Sequence, residues 1–179
     1  METLVIFESF EGQTKKIAEF VAQTIRAAGH DVRLFNPEDR LRSVSFDGVE
    51  RVALAAPVHE RRHPNNFEVF VSSSLDELKA RQTRLISVSL KAAFPEGLDE
   101  ARDYLTEMEM RTGFQPDSAV LAAGAVRTGS YDYFESQVVR QVVLDGRNVE
   151  LIDGVREFTD WEALGGQVAA FLQAEPRVA

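Results

Sequence analysis

The sequence predicts an α/β fold, one five-stranded parallel sheet sandwiched by helices. Two observations carry this expectation. Short β-branched and apolar runs alternate along the chain with segments whose apolar residues recur at helical spacing. A chain of 179 residues with 44% hydrophobic content also suits one core that covers both faces of a sheet. Strands joined through helices run parallel, because each right-handed crossover lays its helix against a face. Residues 1–175 are expected to form a single domain.

The first strand is Leu4–Phe7, followed by the polar turn Glu8–Thr14 around Gly12 and a helix with Ile17, Phe20, Val21, Ile25 and Ala28 on one face. Gly29 stops that helix, and Asp31–Phe35 is a second strand with Val32 and Leu34 inward. Residues Asn36–Gly48 read as a polar connection. The third strand, Arg51–Ala56, ends at Pro57, and the turn-rich segment Val58–Asn66 leads into a helix carrying Phe67, Phe70, Val71, Leu75 and Leu78. The fourth strand is Thr83–Leu90 and its loop is Lys91–Gly97. A helix with Leu98, Ala101, Leu105 and Met108 closes near Gly113, and the fifth strand is Asp117–Val126. Tyr131, Phe134, Val138 and Val142 mark another helix, before a turn at Asp145-Gly146 and an irregular stretch to Phe158. A capping box, Thr159-Asp160-Trp161-Glu162, announces a last helix with Trp161, Leu164, Val168, Phe171 and Leu172 inward.

Composition excludes several functions. A formal charge of −9 argues against a nucleic-acid partner and against unassisted binding to anionic lipid. Without cysteine there are no disulfides, thiolate metal sites or thiol redox chemistry, so electron transfer needs a bound cofactor. Met1 leads directly into the first strand, and no apolar run approaches the roughly 18 residues of a membrane span. A cytoplasmic location is the default expectation. His59 and His63 lie four apart in coil rather than on a helix, so no metal site is expected.

The strand-to-helix turn after the first strand offers free backbone N–H groups and the positive end of a helix dipole, which can hold a phosphate. Ser9, Gln13 and Thr14 add side-chain donors, and Gly12 permits close backbone approach. The bland alternative is a plain capped turn, and Glu8 and Glu11 would repel a phosphate unless they point away. The spacing Ser9-Phe10-Glu11-Gly12-Gln13-Thr14 resembles the phosphate loop of flavodoxins, with Glu11 in place of a threonine. Five strands fit the flavodoxin-like order 2-1-3-4-5, a three-layer sandwich. In it the loops Glu8–Thr14, Pro57–Asn66 and Leu90–Gly97 share the carboxyl rim at the switch point.

Over nearly its whole length the chain resembles the flavodoxin superfamily, and most closely the menaquinone-dependent protoporphyrinogen oxidase branch. The likeness is carried by Glu11–Thr14, Ser87–Leu90, Pro116-Asp117, Ala123–Arg127, Tyr131 with Phe134, and Thr159–Glu162. What it implies is bound FMN, oxidation of a porphyrinogen in haem biosynthesis, and transfer of the electrons to a quinone or a redox protein. The FMN phosphate falls to Ser9, Phe10, Glu11, Gly12, Gln13 and Thr14. The flavin ring falls to Pro57, Val58, His59, Ser89, Leu90 and Phe94, with His59 and Phe94 as its flanks. Arg61, Arg62, Arg127 and Tyr131 are the candidates for substrate carboxylates, since a guanidinium holds a carboxylate by paired hydrogen bonds. No side-chain general base is obvious, and catalytic residues stay unassigned.

Three departures matter, one being that Asn148–Asp153 does not reproduce that branch's Gly-Gly-rich turn. The loop Val58–His63 lacks that branch's Arg-Tyr-Gly run. Between Ala122 and Asn148 three arginines face three acids, where the branch has a strongly basic segment. A soluble or peripherally membrane-bound enzyme is therefore expected, with homo-oligomerisation left open. Two alternatives stand beside it, a one-electron flavodoxin shuttle and a flavodoxin-fold binding module that has lost FMN. A phospho-receiver is disfavoured, because the third strand ends at Ala55-Ala56-Pro57 with no acceptor aspartate.

Overall fold

Alternate residues of the first strand, β1 (Glu2–Phe7), face opposite ways, so Val5 and Phe7 enter one apolar layer and Leu4 and Ile6 the other. Both sets are buried, and the strand must be covered on each side. The computed structural model describes residues 2–39, 43–127 and 154–175. After β1 come α1 (Gln13–Ala27), β2 (Asp31–Phe35), β3 (Val49–Pro57), α2 (Asn65–Ser73), α3 (Leu75–Lys79) and β4 (Gln82–Ser89). The loop after β4 makes two 3-10 turns, Lys91–Ala93 and Pro95–Gly97. Then follow α4 (Leu98–Thr112), β5 (Ser118–Ala123), β6 (Ala125–Arg127), β7 (Val155–Glu157) and α5 (Trp161–Gln173).

The sheet is parallel throughout, in the order β2-β1-β3-β4-β5. This is the order expected from the sequence. On one face α1 and α5 bury Ile17, Val21, Ile25, Leu164, Val168 and Phe171 against Val5, Ala53, Ile86 and Val88. On the other, α2, α3 and α4 bury Phe67, Val71, Leu78 and Met108 against Leu4, Leu54 and Leu85. Arg51 is buried beneath the end of α5, where its guanidinium donates to the carbonyls of Leu172 and Ala174 at 3.2 and 3.0 Å. A charge at the carboxyl end of that helix is thereby matched to its dipole.

Several expectations need correction. The helix read through Phe67 to Leu78 breaks at Ser74, where the Ser72–Ser74 run offers the backbone competing hydroxyls; Ser73 Oγ donates to the Phe70 carbonyl at 2.9 Å. The fifth strand does not run through to Val126. At Gly124 it leaves the sheet, and Ala125–Arg127 pairs antiparallel with Val155–Glu157, in the stretch expected to be irregular. The Asn36–Gly48 connection is not wholly polar, since Phe46 is buried under the Arg81 guanidinium. The cap of α5 lies one residue later than the capping box implies: Asp160 accepts from the Ala163 N–H at 2.9 Å. Thr159 instead donates to the Ala123 carbonyl. Trp161 and Leu172 are half-buried rather than fully inward. The helix read at Tyr131–Val142 and the turn at Asp145-Gly146 lie outside the described residues.

Candidate functional site

Because β1, β3 and β4 are parallel neighbours, the loops that follow them meet at one rim. Gly12 is the pivot of the first. Its φ of +94° is in the left-handed region, and nothing lies within 4 Å of where a Cβ would stand, so glycine serves the turn and leaves open space above it. The Gly12 N–H donates to Ser9 Oγ at 3.0 Å, and the first intrahelical bond of α1 runs from the Lys16 N–H to the Gly12 carbonyl. The helix has no side-chain cap and no acid in its first turn, and its leading N–H groups have no intrahelical acceptor. Thr14 and Gln13 are buried.

Glu8 does not face this turn. Its side chain is buried, and the Phe67 N–H, in the first turn of α2, donates to its carboxylate. Burial, with a smaller push from Glu38, raises the carboxyl above its ordinary range against the effect of that N–H. One carboxylate oxygen is left without a partner.

Gln13 ties the first loop to the end of the chain. Its amide donates to Thr159 Oγ1 at 2.9 Å and its carbonyl accepts from Arg127 Nη2 at 2.9 Å. Arg127 Nε is buried with no partner. Nearby, Lys16 and the Trp161 indole both reach Glu157 at 2.6 Å, binding β7 to α1; together with Gln13 they outweigh burial and hold Glu157 below the usual carboxylate range.

In the second loop Val58 donates to the Val88 carbonyl, extending the register of Pro57 with Val88. His59 and Arg62 then pair through both backbone groups, closing a two-residue turn in which Glu60 and Arg61 have φ of 48° and 66°. Two left-handed non-glycine residues in succession are costly. The His59 ring meets the exposed Phe10 ring edge-on at 6.0 Å, joining the first loop to the second. In the third loop, buried Ser89 accepts from the Ala92 N–H, Leu90 is half-buried, and half-buried Phe94 packs against Phe158 at 5.5 Å.

The three arginines read as one recognition set are not brought together. Arg61 pairs with Glu100 at 2.8 Å, Arg62 with Glu68 at 2.8 Å, and Arg127 with Gln13 at 2.9 Å. Each is drawn to a different acceptor, which separates them. Tyr131 lies outside the described residues.

Three buried polar residues escape a reading of the sequence. Glu68 lies between Arg62 and Arg111; burial raises its carboxyl, but hydrogen bonds from Arg111 and Arg62 outweigh this and hold it below the ordinary range. His63 is buried at the base of the second loop, its Nε2 2.9 Å from Ser87 Oγ and its Nδ1 unpartnered. Burial pushes its pKa down to about 4, with Glu68 opposing and Arg111 assisting. Glu8 is the third. The one visible signal is that Glu68 follows directly on Phe67 in the inward stripe of α2. No metal-binding cluster of His, Asp and Glu occurs among the described residues.

A sequence model of the flavodoxin domain matches residues 4–147. The protoporphyrinogen IX dehydrogenase [quinone] of Escherichia coli K12 is 26% identical over 173 residues, which span 96% of this chain and 92% of that protein. Among solved structures, oxidised flavodoxin 1 from Bacillus cereus superposes with a TM-score of 0.54 at 17% identity, covering 98% of this chain and 99% of that one. A putative quinone reductase from Klebsiella pneumoniae gives 0.56 at 13% identity, over 98% and 86% of the two chains. With the five strands in the order 2-1-3-4-5, a glycine turn opening α1, and a domain match over most of its length, the chain belongs to the flavodoxin domain family.

Proposed function

We propose that residues 1–175 form one FMN-binding domain, and that the protein is an FMN-dependent oxidoreductase of the protoporphyrinogen oxidase type. It would take electrons from a porphyrinogen-like substrate and deliver them to a quinone. The observation that carries the cofactor is the uncapped start of α1 behind Gly12, at the switch point of the sheet. The space above Gly12 is open, the Glu8 carboxyl is turned toward α2, and the buried Arg127 Nε beside Gln13 lacks a partner. These features fit an anionic group, and the half-buried His59 and Phe94 fit the flanks of a planar ring.

Within this reading, Ser9–Thr14 hold the phosphate, chiefly by backbone N–H groups. Pro57–His59, Ser89, Leu90 and Phe94 hold the ring. Bound FMN supplies hydride and electron transfer, and the protein contributes position, electrostatics and exclusion of water. Arg127 lies nearest the first loop and is the favoured contact for a substrate carboxylate. Arg61 and Arg62 are each held by a closer acid. The E. coli relative, matched along nearly the whole chain, favours a porphyrinogen and a quinone.

The test is the visible spectrum of the purified protein, before and after FMN is added, followed by protoporphyrinogen oxidation with a water-soluble quinone analogue. A flavin spectrum with quinone-dependent turnover is expected. Flavin without turnover on any quinone favours the electron shuttle, for which the net charge of −9 speaks. Protein that ignores added FMN favours the binding module.

A further inference from the structure

Glu100, in the first turn of α4, touches both of the loops assigned to the flavin ring. One of its carboxylate oxygens accepts from Arg61 Nη1 at 2.8 Å and from the Tyr104 hydroxyl at 2.5 Å, and the other from Lys91 Nζ at 2.7 Å. Arg61 is at the tip of the second loop, in the strained two-residue turn. Lys91 opens the third loop. We infer that Glu100 is a positioning residue that sets the distance between these two loops, and with it the width of the slot for a flavin ring. The inference rests on the FMN reading above.

The surroundings leave both partners little freedom. The Arg61 guanidinium lies over the Tyr104 ring at 5.3 Å and reaches Glu107 at 3.8 Å, so the turn is held by stacking as well as charge. Lys91 belongs to a tightly wound loop, in which a Cβ on Gly97 would stand 2.4 Å from the Lys91 carbonyl oxygen. The Glu100 carboxyl is held below the usual range by Lys91 first and Tyr104 second, and it stays ionised through neutral pH. A single half-exposed ion pair contributes little by itself. Here one carboxylate ties two loops, and its effect is on their separation.

The phosphate does not enter this arrangement, so the test compares FMN with riboflavin. In the parent both ligands are titrated by fluorescence quenching at low and high salt. Glu100→Gln is expected to weaken both ligands by the same factor, roughly two- to fivefold. Riboflavin is uncharged, so a fall of its affinity with added salt in the parent reports the ion pairs of Glu100 and not ligand charge; such a fall is expected, and it should flatten in Glu100→Gln. Arg61→Ala alters a mostly exposed side chain and serves as the second variant. It should give the same loss, and the double variant should be no weaker than either single one. Unchanged riboflavin affinity in both variants, additive losses, or a loss confined to FMN each overturn the inference while the FMN reading stands. A parent that binds neither ligand overturns both.

Discussion

Thr14 and Glu11 are the residues on which the phosphate assignment is most exposed to test. Thr14 is buried at the start of α1, where a carboxylate would meet any phosphate held by the leading N–H groups at close range. Thr14→Glu is expected to abolish FMN binding. Glu11→Thr, which removes one like charge, should strengthen it several-fold, on the order of 1 kcal/mol. Riboflavin is the control for both; Thr14→Glu that binds FMN like the parent sinks the assignment. His63 supports a second prediction. Its folded pKa is about 4 against an unfolded value near 6.5, so between these the unfolded state binds the extra proton. The contribution of neutral His63 is complete above about pH 6.5 and is lost as pH falls toward 4, amounting to about 3 kcal/mol. Glu8, with a raised pKa, acts in the opposite direction, but a comparison with His63→Gln cancels it. Urea midpoints should decline more steeply toward low pH in the parent than in His63→Gln, and parallel declines would refute the account.

At the scale of elements, α5 shows how a helix read correctly by period still differs in where it is anchored. Phe171 is buried in the layer shared with α1, whereas Trp161 rests half-exposed on Phe20 at 5.0 Å, with Lys16 over its ring and its indole N–H on Glu157. Phe171→Ala should cost about 3–5 kcal/mol. Trp161→Ala should cost less, about 1–3 kcal/mol, because part of its surface is already in water. Chemical denaturation of the two variants checks the order, and equal losses would mean that Trp161 is a core residue. The element least visible in advance is the β6–β7 pair. Leaving the sheet at Gly124 lets Arg127 reach Gln13 and lets Phe158 donate to the Gly124 carbonyl. The first loop is thus braced by residues more than a hundred positions away.

For the whole molecule, charge is the property with a direct consequence. At −9 the chain is repelled by anionic lipid, and among the described residues no helix is long and apolar enough to cross a membrane. In flotation with anionic vesicles the protein is expected to stay in the aqueous fraction at any salt concentration. Strong, salt-insensitive association would refute this. The charge is also organised locally: acids on α2 and α4 hold the basic second loop through Glu68, Glu100 and Glu107. Arg61 and Arg62, two of the arginines read as substrate contacts, are thereby used within the fold.

The parallel sheet, the turn at Gly12, the stop at Gly113 and the second strand Asp31–Phe35 were legible in the sequence alone, because hydrophobic period and turn chemistry act over a few residues. Only the tertiary structure decided which polar groups turn inward and whom they meet. Gln13 meets Thr159 across 146 positions, Arg61 meets Glu100 across 39, and Ser87 meets His63 across 24. Such pairings depend on which strands become neighbours and on the low polarity between them, where an ionised group must find a partner or lose its charge. No local pattern records that choice, and so Glu8 and His63 could be recognised as buried only once the chain was folded.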